Sequence, residues 1–227
     1  MKRTAFLVAL LAVSTSWLGG SVARSGSTAP TATSAAAAPT FHGTISRISP
    51  ELRARMTSWR PGCPVALRQL RLLTVNHWGF DREVHRGWLI VNAYQARPVL
   101  RVMHRLFDSR FPFRRIRLID AYGSSDDRSM AANNTSGFNC RYVSGTTRWS
   151  EHAYGRAVDI NPVQNPYVQG SYVSPPAGEA YADRSRRAPG MIHAGDVVVR
   201  AFASIGWKWG GYWRSAKDYQ HFSSTGR

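Results

Sequence analysis

The sequence predicts an α+β domain in which helices flank a small central antiparallel sheet. Two stretches, 93–107 and 197–205, have apolar residues at the spacings of three and four that are typical of amphipathic helices. Short runs rich in Trp, Ile and Val lie before, between and after them, bounded by turns that contain Gly or Pro, as strands commonly are. Helices and short strands mixed in this order, without an internal repeat, indicate the α+β class.

The first half of the domain is predicted to hold two strands and a long helix. A strand over 87–91 comes before the helix over 93–107, in which Met103 is expected to be a core residue. Pro98 lies near the start of this helix, where proline is tolerated. A second strand is expected over 116–121, and the polar residues 126–136 are expected to form a loop.

Two short strands and a second helix are predicted towards the C-terminus. Residues 157–160 read as a strand whose alternation places Asp159 on one side and Val158 on the other. Asp196 is a suitable N-cap for the helix that Gly206 would close. A final short strand is expected at 221–222.

The N-terminal residues predict export. Residues 1–23 have a basic start, an uncharged apolar run and a small-x-small cleavage pattern, which together are typical of a signal peptide. The apolar run is shorter than the ~20 residues of a membrane span, so we expect a secreted protein with no stable span after processing; an uncleaved anchor is the alternative. The Ser, Thr, Ala and Pro of 24–50 predict a disordered spacer, and 51–227 is the predicted folded domain.

The charge favours an anionic partner. The chain has 30 Lys and Arg against 13 Asp and Glu, a formal net charge of +17, and such an excess attracts polyanions over long range. Anionic polymers of a bacterial cell wall fit export better than nucleic acid, for which no recognition motif stands out. Arginines spread over a solvated surface explain the same charge equally well.

The two cysteines, Cys63 and Cys140, fit an oxidising compartment, where they would pair. Zinc binding by these cysteines is the alternative, but neither belongs to a CxxC pair. We therefore expect a disulfide.

Two histidines and a carboxylate form a candidate metal site. His152, Asp159 and His221 are of the types that zinc binds, and three protein ligands leave a fourth position for water, as in catalytic zinc sites. Gly155 permits a sharp turn between the first two. Asp218 is placed to reach the water without binding the metal. The spacing of His152 and Asp159 is by itself a weak pattern.

Glu151 is an alternative base. As the neighbour of His152 in a regular strand, it would face the opposite side. It therefore ranks below Asp218.

The combined motifs resemble a known family. They are Ser150-x-His152-x-x-Gly155-x-Ala157-x-Asp159, a carboxylate-x-x-His221, and the segments 134–141 and 207–211. Over roughly residue 59 to the C-terminus, the chain resembles zinc peptidases of the D-alanyl-D-alanine carboxypeptidase (VanY-like) group, which includes L-alanyl-D-glutamate endopeptidases, and in particular their bacterial extracellular branch. The resemblance implies a hedgehog/D,D-peptidase-like fold with zinc on a central antiparallel sheet.

The resemblance also implies roles for individual residues. It makes His152, Asp159 and His221 the ligands of Zn²⁺, and Asp218 the general base, where many relatives have glutamate. An upstream arginine in the family binds substrate or the developing oxyanion. Arg141 is the candidate for that role, with Arg128 as the runner-up.

The function implied is that of a secreted, monomeric peptidoglycan peptidase. It would hydrolyse stem-peptide bonds involving D-amino acids by metal-activated water with an Asp general base. The choice between a D-Ala-D-Ala carboxypeptidase and an L-Ala-D-Glu endopeptidase stays open. The alternative is a non-catalytic, zinc-containing cell-wall-binding module, against which the presence of Asp218 argues, because pure binding needs no base.

Overall fold

The structure, a computed structural model, describes residues 14, 16 and 38–227, and the unit Pro39–Arg227 contains the architecture given below. The predicted signal peptide over 1–23 lies outside the described residues, apart from Ser14 and Ser16, and so does the spacer as far as residue 37. No helix in the part of the chain that the structure describes has the length and apolar character that a membrane crossing requires.

The strands of the described residues form three small antiparallel sheets. The strands are β1 (Gly43–Arg47), β2 (Leu70–Trp78), β3 (Val84–Asn92), β4 (Ala157–Asp159), β5 (Tyr167–Gln169), β6 (Tyr172–Ser174), β7 (Lys208–Trp209), β8 (Lys217–Asp218) and β9 (His221–Ser223). Their orders are β1-β2-β3, β4-β9-β7 and β6-β5-β8. The single central sheet that we expected is therefore divided into three.

Helices complete the α+β class, which is confirmed. The α-helices of the described residues are α1 (Pro50–Arg55), α2 (Ala93–Asp108), α3 (Asp126–Ala131) and α4 (Val197–Ala203). Short 3₁₀ helices cover Leu67–Gln69, Ile119–Tyr122, Glu151–Tyr154, Pro176–Tyr181 and Gly210–Tyr212.

The long helix α2 organises the main core. The Asn92 side chain caps it by accepting a hydrogen bond from the Tyr94 amide, which satisfies one of the amides left free at a helix start. Its apolar face is buried as predicted, with Met103 1% exposed, and burial of each such side chain contributes about 1.5–3 kcal/mol. The same core contains residues of β2, β3, β4, α4 and β9, so the long helix supports the strands that carry the metal-type ligands.

Two predicted elements differ from the structure. Ile116 forms only an isolated bridge with Thr135, and the expected strand over 116–121 gives way to a 3₁₀ helix. The reason is Asp120, whose carboxylate accepts hydrogen bonds from the amides of Thr57 and Ser58 at 2.6 and 2.8 Å. These contacts join the loop to a distant segment, and a local strand pattern cannot show that.

The expected loop over 126–136 contains the helix α3. Ser125 caps it by accepting from the Arg128 amide, and Asp126 and Asp127 lie in its first turn, where negative charge interacts favourably with the helix dipole. Ser129 is its one buried residue. A polar helix of this kind has no apolar period, so the spacing of apolar residues does not reveal it.

The first strand, β1, lies within the stretch 24–50 that composition assigns to the spacer. It pairs along its whole length with β2, from Gly43 opposite Val75 to Arg47 opposite Arg71. The His42 amide also donates to the Asn76 side chain at 2.6 Å. The compact unit that contains β1 begins at Pro39.

The predicted disulfide between Cys63 and Cys140 is confirmed, and it lies at a second, smaller core. The buried residues of this core are Met56, Val65, Leu70, Ile90, Phe138 and Cys140. Both cysteines of the chain are used in the bond, so neither is left to bind zinc. Next to Cys140, the Asn139 amide donates to the His152 carbonyl at 3.1 Å, which connects the disulfide to the candidate site.

Candidate metal centre

A short 3₁₀ helix, Glu151–Tyr154, positions His152. Ser150 caps it by accepting from the His152 amide at 3.3 Å. Gly155 ends it in the left-handed region at φ 66°, where a Cβ would lie 2.6 Å from the Asn92 nitrogen. Only glycine fits both this conformation and this close approach, so the turn proposed from the sequence is present, although His152 lies on a helix before it.

Asp159 and His221 lie directly opposite each other on β4 and β9. Directly opposite residues share a face of the sheet. The neighbouring pair Val158 and Phe222 faces the other way, into the main core, where Phe222 stacks on Phe202 with ring centroids 4.2 Å apart. The apolar pair therefore fixes the register that brings the polar pair together.

The three side chains converge on one point. The Nε2 atom of His152 lies 3.1 Å from Asp159 Oδ2, and the Nδ1 atom of His221 lies 2.9 Å from Asp159 Oδ1. The two ring nitrogens are 3.3 Å apart. Zinc ligands at about 2.0–2.2 Å in a tetrahedral arrangement are separated by roughly 3.4 Å. The spacing and the donor types thus fit a divalent metal of the zinc type.

The second nitrogen of each histidine faces a main-chain oxygen as acceptor. Nδ1 of His152 lies 2.6 Å from the Gly137 oxygen, and Nε2 of His221 lies 3.0 Å from the main-chain oxygen of Arg227. Metal-binding histidines usually donate their other N–H in this way, which fixes the ring and its tautomer. Sequence reasoning missed both acceptors, because a main-chain oxygen carries no signal in residue type.

Burial and mutual charge define the electrostatics of the cluster. His152, Asp159 and His221 are 2%, 5% and 6% exposed. Burial alone would raise the pKa of Asp159, but the charges and hydrogen bonds of the two histidines outweigh it and hold that pKa far below its ordinary value. Burial opposes the charged form of His221, yet the hydrogen bond and charge of Asp159, with the charge of Asp218, raise the pKa of His221 to about 9.

Asp218 lies beside the cluster without being one of the three converging ligands. It is on β8, opposite Tyr167, and its Oδ1 atom is buried with no hydrogen-bond partner. Burial raises the pKa of Asp218 to about 6; the charge of His221 opposes the shift and that of Asp159 adds to it. This carboxylate is therefore free to accept a proton.

The two candidate arginines are held by other groups. Nη2 of Arg141 lies 2.7 Å from Asp126 Oδ2 in a partly buried ion pair. Arg128 is exposed, and its Nε donates to the Tyr122 carbonyl at 2.9 Å. Within the described residues, neither guanidinium forms a hydrogen bond or ion pair with the three converging side chains.

Glu151 forms an ion pair with Arg156 at 3.1 Å, and this arginine also lies over the Tyr154 ring. The premise that Glu151 sits in a regular strand is wrong, because residues 151–154 form a 3₁₀ helix. Its carboxylate is nevertheless engaged by a cation, so it remains a poorer candidate base than Asp218.

Two neighbours of the cluster were not identified from the sequence. The Trp213 ring lies 5.6 Å from that of His221. The Gln220 side chain is buried, and its Nε2 lies 3.5 Å from the Met130 sulfur. Both positions depend on the pairing of short C-terminal strands, for which the sequence offers only a weak pattern.

A comparison with protein families matches the part of the chain that contains the candidate site. Residues 144–224 match the family model described as D-alanyl-D-alanine carboxypeptidase. The matched segment contains the three converging ligands and Asp218. The resemblance inferred from the motifs is thereby confirmed over this part of the chain, and it supports a metal-dependent peptidase. Searches of curated proteins and of solved structures found no match.

Proposed function

We propose, from the similarity of residues 144–224 to D-alanyl-D-alanine carboxypeptidases, that this protein is a secreted zinc peptidase of peptidoglycan. Its substrates would be stem-peptide bonds that involve D-amino acids. The observation that carries the proposal is the convergence of the ligand atoms of His152, Asp159 and His221 beside the half-buried Asp218, whose Oδ1 atom is buried without a hydrogen-bond partner. The hedgehog/D,D-peptidase type of fold is part of this proposal.

The donor set supports zinc as the metal. Two imidazoles and one carboxylate are the ligands of many catalytic zinc sites, which keep one position open. Zinc, when bound, would supply Lewis-acid activation of water and of the scissile carbonyl. The protein's part would be to hold three ligands rigidly, which is supported by their burial and by the two outer main-chain oxygens that face the histidines.

Asp218 is the proposed general base. It would accept a proton from the attacking water and deliver it to the leaving amine. A pKa of about 6 in the metal-free protein is close to neutral, where a carboxylate can both take and return a proton efficiently. Its side chain is one methylene shorter than the glutamate of many family members, and β8, which pairs with β5, places it three residues before His221.

Arg141 is the proposed group for binding a substrate anion or the developing oxyanion. Its Nη2 is paired with Asp126, whereas its Nε atom is buried with no partner. A substrate carboxylate would either bind this guanidinium together with Asp126 or displace Asp126 from it. Arg128 is the second candidate.

The organisation of the whole chain is proposed on compositional grounds. Residues 1–23 would be a signal peptide and the following residues a spacer that ends before Pro39. Export is supported by the Cys63–Cys140 disulfide, because disulfides persist in oxidising compartments. The net charge of +17 supports retention on anionic wall polymers, and the enzyme is proposed to act as a monomer.

Digestion of purified peptidoglycan tests the proposal. The protein starting at residue 39 would be incubated with the wall, with and without a chelator, and the released fragments identified by mass spectrometry. Loss of terminal D-Ala would identify a carboxypeptidase, and new amino groups on D-Glu an endopeptidase. Zinc-dependent wall binding without any release would overturn the enzymatic proposal in favour of a binding module.

A further inference from the structure

The chain after β9 folds back onto the metal-type ligands. Ser223, which is fully buried, donates through Oγ to the main-chain oxygen of Arg227 at 2.9 Å and accepts from the Gly226 amide at 3.0 Å. Trp213 Nε1 donates to the Gly226 oxygen at 2.9 Å. These three hydrogen bonds fix the position of the Arg227 oxygen.

Gly226 makes it possible for residues 224–227 to fold back, and this segment is called the return. Its φ of 81° lies in the left-handed region, and a Cβ there would come within 2.6 Å of the Lys208 side chain. Glycine adopts this conformation without the steric penalty that other residues have. The return is therefore a specific turn with its own residue requirement.

The Arg227 oxygen faces the outer nitrogen of His221. Nε2 of His221 lies 3.0 Å from it, while Nδ1 of the same ring faces Asp159 and His152. We propose that the main-chain oxygen of Arg227 is a positioning group for the metal centre, which holds His221 with Nδ1 directed at the metal. This inference rests on the proposed zinc site.

The two histidines differ in how they are supported. His152 donates to Gly137, whose own neighbours are packed in the domain, since a Cβ at Gly137 would lie 2.5 Å from the Ile90 oxygen. His221 donates to a residue held by the three hydrogen bonds of the return. Loss of such an outer hydrogen bond typically weakens metal binding 10–100-fold. Zinc affinity should therefore depend on residues 226 and 227, which contain no metal ligand.

Removal of residues 226 and 227 tests the proposal. Zinc affinity would be measured by competition with a chromophoric chelator, and we expect it to fall about 10–100-fold. The matched control is Arg227→Ala, which keeps the main-chain oxygen and removes only the side chain, and it should retain the affinity of the wild type. Equal affinity of the shortened and full chains would overturn the proposal, and so would an Arg227→Ala loss as large as that of the shortened chain.

A spectroscopic measurement separates positioning from general destabilisation. In the metal-free protein, ¹⁵N NMR of the histidine rings should show a His221 Nε2–H protected from exchange with solvent. In the shortened chain this protection should disappear, while the His152 Nδ1–H stays protected. Loss of protection at both rings would indicate general loosening and would contradict the proposal.

If the shortened chain does not fold, Gly226→Ala replaces it, because this change disturbs the return and leaves the chain length unchanged. Tight zinc binding without cleavage of peptidoglycan would sink the proposed function and leave this inference intact. If the shortened chain cleaved peptidoglycan and kept its zinc affinity, the proposed function would stand and this inference would fall.

Discussion

The pKa values of two aspartates near the same pair of histidines are shifted in opposite directions, and their surroundings explain the difference. Asp159 is hydrogen-bonded to both rings, so its pKa is held low despite burial. The Oδ1 atom of the half-buried Asp218 is enclosed without a hydrogen-bond partner, and desolvation raises the pKa of this carboxyl to about 6. Carboxylates whose environments separate their pKa values in this way commonly divide the roles of an active site. Here one would bind metal and the other would move a proton.

Replacement of the proposed base should separate metal binding from turnover. Asp218→Asn keeps the shape of the side chain and removes the proton acceptor, so we expect normal zinc content and a kcat lower by about 10²–10⁴-fold. Zinc content would be measured by atomic absorption, and kcat on a synthetic stem peptide. His221→Ala, which removes a ligand, should lose both zinc and activity. Near-normal turnover in either variant would contradict the assignment.

The candidate arginines can be distinguished by paired substitutions. Arg141→Gln removes a charged hydrogen-bond donor, and we expect kcat/KM to fall about 10–100-fold, the usual range for such a bond. Arg128→Gln is the matched control, because Arg128 is exposed and bonded to nearby carbonyls. Steady-state kinetics on the same stem peptide would measure both. A large loss in Arg128→Gln alone would transfer the role to Arg128.

At the scale of elements, the sequence predicts those that carry a strong periodic signal. The helix α2, the helix α4 with its Asp196 cap and the strand β4 follow from apolar spacing and capping residues. The missed elements depend on contacts that no local pattern records. Asp120 binds the distant amides of residues 57 and 58, and α3 has hardly any apolar face.

In the candidate site too, features with a local sequence signal can be predicted, and features that depend on distant contacts cannot. The residue types and the resemblance predict His152, Asp159, Asp218 and His221 as site residues from the sequence, because they are side chains with recognisable chemistry. The outer acceptors are main-chain oxygens, and the Asp126 partner of Arg141 depends on the position of α3. The sequence does not show either feature, since both arise only from the folded arrangement.

The turn at Gly155 should be sensitive to a single methyl group. Gly155→Ala introduces a left-handed alanine, at a cost of about 1–2 kcal/mol, and a clash with the Asn92 backbone, which costs about 1–3 kcal/mol more. Gly145→Ala is the control, because Gly145 also has a positive φ but a Cβ added there would have no atom within 4 Å. Urea denaturation would give both unfolding free energies. Equal losses in the two variants would show that the close approach to Asn92 is unimportant.

At the scale of the whole molecule, one covalent bond joins the two halves of the domain. The Cys63–Cys140 disulfide spans 77 residues, including β2, β3 and α2. It lies at the smaller core, and the residue beside Cys140 holds the His152 carbonyl. The same bond therefore stabilises the whole fold and supports the segment that carries His152.

Removal of the disulfide should destabilise the protein strongly. By the loop-entropy relation, closing 77 residues contributes about 4.5 kcal/mol to the unfolding free energy. We expect the double variant Cys63→Ser/Cys140→Ser to lose a comparable amount in guanidinium denaturation, with the oxidised wild type as reference. The reduced wild type should behave like the double variant. A loss below about 1 kcal/mol would contradict the loop-entropy argument.

For the proposed zinc site, the pairing of β4 with β9 also determines when a complete set of ligands exists. Asp159 and His221 are separated by 62 positions in the chain and become neighbours only through this pairing. A chain still being synthesised has no complete ligand set until residue 221 has been made and its strand has docked. For the proposed zinc site, metal would therefore bind only after β4 and β9 have paired, and a chain that stops before residue 221 would lack both metal and activity.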